Sequence, residues 1–276
     1  MADRRYTINA FTVNLQSSGF HPEAAEALLE LLSTEDVKAT FFTESAVSGH
    51  IAAFTRQLHA HGHETGLLIT PSSETPHRNR LSDSLDHDRK TLEDLIGHPI
   101  AGCRILHPFM ATSQSSETYE ILAESGFAYS SSLYPPRNFR LGIQNSKRRA
   151  WIARTDEGDV WELPVTAWRP LGLGIFSVRS AHPDRYPVWT IARNIDGMNR
   201  HGEPAILSLR HLPQFRQDTR NRTFQRLRHI FRGYRFSSTF DAFASRLTTE
   251  FEEIPRNQLR RTSIIRCDAR TAMPFL

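Results

Sequence analysis

Short β-branched and aromatic runs alternate with helical stretches up to about residue 209, and that alternation admits few architectures. Residues 6–13 (YTINAFTV) read as a buried strand. Pro22 opens the next helix, where its missing N–H costs nothing, and Ala25, Leu28, Leu29 and Leu32 follow at helical spacing. Further strands are predicted at 37–42, 64–69, 100–106, 127–132, 159–165 and 204–209. Helices are predicted between them at 49–61, 81–96, 113–124 and 187–200, with Gly62, Gly97 and Gly126 as stop signals. Residues 71–80 read as a polar loop, and a long loop precedes the strand at 159. The order predicts a parallel α/β sheet, open or closed into a barrel, over residues 1–246, with a closing helix and tail over 247–276.

The chain has 276 residues, 39% hydrophobic and 23% charged, enough for one large core and too apolar for a disordered chain. No apolar run approaches the roughly 20 residues of a membrane span, and the N-terminus lacks the apolar segment of a signal peptide. Two cysteines, Cys103 and Cys267, give no disulfide framework and point to a reducing, cytoplasmic setting. The net charge is +4, and only three of the 34 basic residues are lysines. Arginines crowd between Arg210 and Arg235, interleaved with Phe224, Phe231 and Tyr234. This reads as a surface helix and loop facing an anionic polymer or membrane surface. No nucleic-acid module is recognisable, so nucleic acid is not an expected partner.

In a (β/α) barrel the chemistry lies at the C-terminal ends of the strands. Those ends hold Asn14, Gln16, Ser17 and Ser18, then Thr43 and Glu44, then Thr70, Arg104, Ser130–Ser132 and His211. Glu44 is the one carboxylate among them. His59, His61, His63 and Glu64 could form a substitute metal site, although His59 and His61 read as the exposed end of a helix. Asp83, Asp86, His87 and Asp88 read as a solvated helix face. Ser131 or Ser132 with His107 lacks the GxSxG elbow of a serine esterase. Trp151, Trp161 and Trp168 could stack on sugars, but core packing is the commoner use. Cys103 reads as a small buried hydrophobe.

The segments ALLELLSTEDVKATFF, HAHGHETG, LEDLIGHPIAGCR and ILAESGFAYSSSLYP, in that order, resemble the NodB-homology polysaccharide deacetylases of carbohydrate esterase family 4. NAFTV, SSSLYPPRNFRLGI, WELPVTAW and GEPAILSLRH are similar to the branch found in exopolysaccharide loci beside exosortase genes. The resemblance runs from about Asn9 to His211. It implies a distorted (β/α)7 barrel and metal-dependent hydrolysis of N-acetyl groups on cell-surface sugars.

The departures fall on the chemistry. The family's first motif carries acids for the base and a metal ligand, and here that stretch reads Asn14, Gln16 and Ser17. Amides keep the shape of carboxylates but cannot act as bases at neutral pH. His63 and Glu64 of the GHE turn remain, while the family's metal histidines fall on Leu68 and Ser72. Arg104 matches the third motif's arginine, which positions a catalytic carboxylate in the family. With Asn14 opposite, it is expected to be free for an anionic sugar. Ser131, Ser132, Leu133, Tyr134 and Pro135 resemble the oxyanion-side region, and His211 falls near the last motif's histidine.

The resemblance thus implies a catalytically degenerate member that binds a polysaccharide or an acetylated amino-sugar glycan, or exopolysaccharide biosynthesis proteins, with no resident cofactor. The alternative is an active carbohydrate N-deacetylase with a rearranged site using His63, Glu64 or His211 and Zn²⁺ or another divalent metal.

Overall fold

The computed structural model describes residues 7–47, 49–70, 78–106, 115–132, 150–168, 179–180, 183, 186–200, 203–210, 212, 217–242, 244–245 and 265–266. The first half of the chain is strictly alternating: β1 (Ile8–Leu15), α1 (Pro22–Thr34), β2 (Ala39–Thr43), α2 (Gly49–Ala60), β3 (Glu64–Ile69), α3 (Arg78–Ile96), β4 (Gly102–Ile105), α4 (Ser115–Glu124) and β5 (Tyr129–Ser130). A hairpin of β6 (Trp151–Arg154) and β7 (Asp159–Glu162) follows, then β8 (Ala167–Trp168) and β9 (Arg179–Ser180). The described chain continues with α5 (Val188–Asn199), β10 (Ile206–Leu209), α6 (Gln217–Gly233), β11 (Arg235–Ser238) and β12 (Ile265–Arg266).

The main sheet runs β10-β1-β2-β3-β4-β5-β7, with every neighbouring pair parallel. Closure comes from the chain just beyond β7. Thr166 N–H donates to the Ile206 carbonyl at 2.9 Å, and Ile206 N–H donates to Thr166 Oγ1 at 2.8 Å. These bonds join the last parallel strand to the first in sheet order, and the result is a distorted (β/α)7 barrel. β6 and β12 extend the sheet beyond β7, while β11 pairs with the start of β1. Asn9 ties that corner: its Oδ1 accepts from Ala205 N–H at 2.8 Å, and its Nδ2 donates to the Arg235 carbonyl at 3.2 Å. The tail over 247–276 lies outside the described residues except for β12.

Strand alternation sorts the side chains into layers. Outward-facing Phe11, Val13, Phe41 and Leu207 pack under α1, α2, α5 and α6. Leu67, Cys103, Ile105 and Val160 pack under α3 and α4, so Cys103 is the buried hydrophobe expected of it. Inside the barrel lie Ala10, Phe42, Leu68, Tyr129, Trp161, Leu163, Ile206 and Phe240. Trp151 and Trp161 are each 7% exposed and belong to the core. Glycine on the inner face makes room for the rings: a Cβ on Gly102 would stand 2.1 Å from the Tyr129 ring.

β7 lies in the strand predicted over 159–165, while β6 falls within the predicted long loop and makes a hairpin with it. Its turn is tied by Thr155, whose N–H and Oγ1 both donate to the Gly158 carbonyl, at 3.1 and 2.8 Å. Gly158 has φ +147, a conformation that a side chain disfavours.

Candidate active site at the strand ends

Arg104 organises the interior toward the C-terminal ends of the strands. It is fully buried, and its guanidinium lies 4.1 Å from the centre of the Phe42 ring. Nε donates to the Ser131 carbonyl at 3.0 Å. Nη1 donates to Asn14 Oδ1 at 2.7 Å and to Ser208 Oγ at 3.1 Å. Nη2 donates to Thr12 Oγ1 at 3.0 Å and to Ser131 Oγ at 2.9 Å. A guanidinium has five N–H groups, and all five are taken by these neutral oxygens. Arg104 is therefore not free for an anionic sugar, contrary to the sequence expectation. It clamps β1, β4, β5 and β10 together from inside.

Ser131 and Ser132 are also committed within the barrel wall rather than offered to a substrate. Ser131 Oγ donates to the Leu163 carbonyl at 2.7 Å while accepting from Arg104. Ser132 Oγ accepts from Ile105 N–H at 3.0 Å and pairs with Ser130 Oγ at 2.7 Å. With the Ser131 proton engaged and both side chains buried, neither is poised as a nucleophile. His107, Leu133, Tyr134, Pro135 and His211 lie outside the described residues.

A buried carboxylate at the end of β7 escaped the sequence reading. Glu162 is fully buried on the outer face of the sheet, beneath α4. Its Oε1 accepts from Ser132 N–H and its Oε2 from Tyr119 Oη, both at 3.0 Å. A glutamate between Trp161 and Leu163 in a short apolar strand was the available signal. Its bonds make it a brace between β5, β7 and α4.

The rim above Arg104 is polar. Gln16 is half-buried and Ser17 and Ser18 are exposed. Glu44 Oε2 accepts from Ser17 N–H at 2.9 Å, which fixes the loop after β1 to the end of β2. Asp88 on α3 accepts from Ser45 Oγ at 2.6 Å, so this part of the acidic α3 cluster braces the rim. A crevice of about 10 Å³ lies among Asn14, Gln16, Ser18, Phe20 and Leu212, room for about one water.

His63 and Glu64 are at the other end of the barrel. Glu64 is the first residue of β3, about 16 Å of strand away from Ile69 at its C-terminal end. Its carboxylate accepts from Tyr129 Oη, from Thr40 Oγ1 at 2.7 Å, and from the N–H groups of Phe240 and Asp241 at 2.8 and 3.1 Å. Burial raises its pKa despite these bonds. His63 Nδ1 accepts from Ala39 N–H at 3.3 Å, and burial, then the Lys38 charge, lowers its pKa from 6.5 to about 4. The two side chains hold the floor of the barrel, with Glu64 spent on hydrogen bonds there. His59 lies against His98 on the surface, the rings stacked 3.4 Å apart.

The resemblance implies a divalent metal, and the residues at the positions where it places the ligands do not fit one. Asn14, Gln16, Ser17 and Leu68 offer neutral amide and hydroxyl oxygens or an apolar side chain, which do not make a Zn²⁺ set. Among the described residues, no group of three or more His, Cys, Asp or Glu side chains is arranged to hold a metal ion. Among them, too, no helix is long and apolar enough to cross a membrane.

No protein-family model matches the chain, and no curated relative matches its sequence. Solved structures do match its fold. A Mycobacterium smegmatis protein assigned as a polysaccharide deacetylase superposes with a TM-score of 0.66 at 16% identity, covering 91% of this chain and 93% of its own. A Pseudomonas aeruginosa PAO1 protein assigned to the same activity gives 0.62 at 14% identity, covering 88% and 91%. Puue allantoinase gives 0.62 at 14%, covering 90% and 92%. The chain therefore has the NodB-type (β/α)7 fold of the polysaccharide deacetylases, with a neutral hydrogen-bonded cluster around Arg104 at the strand ends.

Proposed function

We propose that this chain is a catalytically degenerate relative of the polysaccharide deacetylases that binds an acetylated amino-sugar glycan without hydrolysing it. The observation that carries this reading is the Arg104–Asn14 contact at 2.7 Å. An arginine that positions a catalytic carboxylate in the family here holds an amide, which cannot take a proton at neutral pH. The rim of Gln16, Ser17, Ser18 and Glu44 supplies amide, hydroxyl and carboxylate groups suited to sugar hydroxyls. We assign the chain to cytoplasmic steps of cell-surface polysaccharide metabolism, alongside exopolysaccharide biosynthesis proteins of the exosortase-associated kind.

The test is acetate release from acetylated glucosamine oligomers with and without Zn²⁺, Co²⁺ or Ni²⁺, together with calorimetric binding of the same oligomers. Binding without release is the expected result. Metal-dependent turnover overturns the reading and returns the alternative of an active N-deacetylase, whose ligands must then lie near His211.

A further inference from the structure

β5 ends at Ser130, and beyond it side chains take over much of the pairing. Ser131 faces into the barrel, where Arg104 holds its carbonyl through Nε at 3.0 Å and its Oγ through Nη2 at 2.9 Å. Ser132 is held from the outer face. Its N–H donates to Glu162 Oε1, and its Oγ accepts from Ile105 N–H, both at 3.0 Å. Two consecutive serines thus place a buried cation and a buried carboxylate on opposite faces of one strand end.

Glu162 is built to set that end. β7 holds it in register opposite Ser130. It is fully buried, and its Oε2 accepts from Tyr119 Oη of α4 at 3.0 Å, so α4, β5 and β7 meet at one carboxylate. Its charge is felt on β4 as well: after burial itself, it is the cause that pushes the Cys103 thiol's pKa up. Packing alone does not account for a carboxylate here, because an apolar side chain would fill the space under α4 without the cost of desolvating a charge. What a carboxylate adds is a firm, directional hold on an N–H, about twice as strong as a neutral acceptor gives.

The contacts continue to the mouth. Glu162 fixes Ser132, the adjacent Ser131 presents two oxygens to Arg104, and Arg104 Nη1 holds Asn14 Oδ1 at 2.7 Å. Asn14 lies two residues before Gln16 on the rim. A binding constellation tolerates about 0.5 Å of displacement, so a strand end left loose on one face is transmitted to the rim.

We propose that Glu162 is a positioning residue of the barrel-mouth glycan site, fixing the end of β5 so that Ser131 and Arg104 hold Asn14 beneath the rim. This rests on the glycan-binding reading and names the residue that sets the site's geometry from outside the barrel.

The experiment measures binding of an N-acetylglucosamine hexamer to the full chain by calorimetry, and the Arg104 Nε–H resonance by NMR. Glu162→Met is similar in length but offers no oxygen to Ser132 N–H. It is expected to weaken the hexamer at least fivefold and to shift the Arg104 resonance. Glu162→Gln keeps an acceptor for that N–H and is expected to restore affinity to within twofold of wild type. Tyr119→Phe removes the α4 bond, leaves the Ser132 bond, and should change neither affinity by more than twofold nor the resonance. Leu92→Ala empties a fully buried site on α3 and should lower Tm while leaving affinity within twofold. If Glu162→Met yields no soluble protein, Glu162→Asp keeps the charge but is one methylene shorter, and several-fold weakening is expected.

Wild-type affinity in Glu162→Met, or in Glu162→Asp where the first does not fold, overturns the proposal. So does a Glu162→Gln variant as weak as Glu162→Met, which makes charge rather than the hold on Ser132 the cause. Equal weakening by Leu92→Ala also overturns it, by reducing the effect to lost stability. A hexamer that fails to bind the wild type refutes the glycan-binding reading and the proposal with it. A hexamer that binds the wild type and Glu162→Met alike refutes the positioning role alone.

Discussion

Replacing Asn14 tests whether Arg104 depends on its neutral acceptors. Asn14 Oδ1 takes an Nη1 proton at 2.7 Å where Arg104 is fully buried and Asn14 is 2% exposed. Leucine has a similar size but accepts nothing, so Asn14→Leu strands one N–H of a buried cation. A hydrogen bond to a charged group contributes about 1.5–3 kcal/mol net, and the stranded donor adds its desolvation. Asn14→Leu should therefore lose about 2–4 kcal/mol, a fall in Tm of roughly 5–15 °C. Asn14→Asp differs in kind. Its attraction to Arg104 at 2.7 Å is about 6 kcal/mol at an effective dielectric near 20. Stripping water from the new carboxylate costs several kcal/mol in return, leaving the variant within about 1 kcal/mol of wild type. Urea unfolding at pH 7, followed by tryptophan fluorescence, measures both. A leucine variant within about 0.5 kcal/mol of wild type, the range of ordinary surface substitutions, refutes the reasoning. The aspartate variant should release no acetate, because one carboxylate does not make the three-ligand set a catalytic metal needs.

Other substitutions read out the floor of the barrel. His63 has its pKa depressed from 6.5 to about 4, so its contribution is present above pH 6.5 and is lost as pH falls toward 4. His63→Asn keeps an acceptor for Ala39 N–H and should remove this loss of roughly 3 kcal/mol in urea titrations across that window. Glu64 has its pKa raised above 4.5, the opposite sense, so its contribution is fullest below pH 4.5 and declines as pH rises through the raised value. Glu64→Gln should flatten that decline above pH 4.5, and wild-type and variant profiles of equal slope would count against it. Gly102→Ala pushes a Cβ into the Tyr129 ring and should cost roughly 3 kcal/mol or more, visible as a lowered Tm or insoluble expression.

The alternation of elements was legible because each parallel strand and helix carries its own local period. Pro22, Gly62, Gly97 and Gly126 mark helix ends by backbone chemistry alone, and each lies at a helix boundary. The first strand of the β6–β7 hairpin was missed, although WIARTDEGDVWEL holds two alternating runs around a polar turn with glycine, because the long loop was read up to Asp159. The site was harder. Asn14 and Arg104 could be named from motif order, but not that five acceptors from β1, β5 and β10 converge on one guanidinium. Those contacts span up to 104 residues of chain. The role of Glu64 was illegible for the same reason. It lies one residue from a histidine in sequence, yet its own partners are Tyr129, Thr40 and the amides of Phe240 and Asp241.

The corner held by Asn9 has a consequence for how the chain reaches its fold. β1 gains its β2 neighbour after a short helix, but its other edge waits for β10 and β11, with Arg235 lying 226 residues beyond Asn9. During synthesis β1 and β2 emerge as an apolar ribbon whose open edge can recruit another chain before its own partner exists. Closing so large a loop is entropically costly and slow, which makes the last third of the chain the rate-setting part of assembly. A nascent chain that stops before β10 therefore exposes a strand that the finished protein buries along all but its first residue.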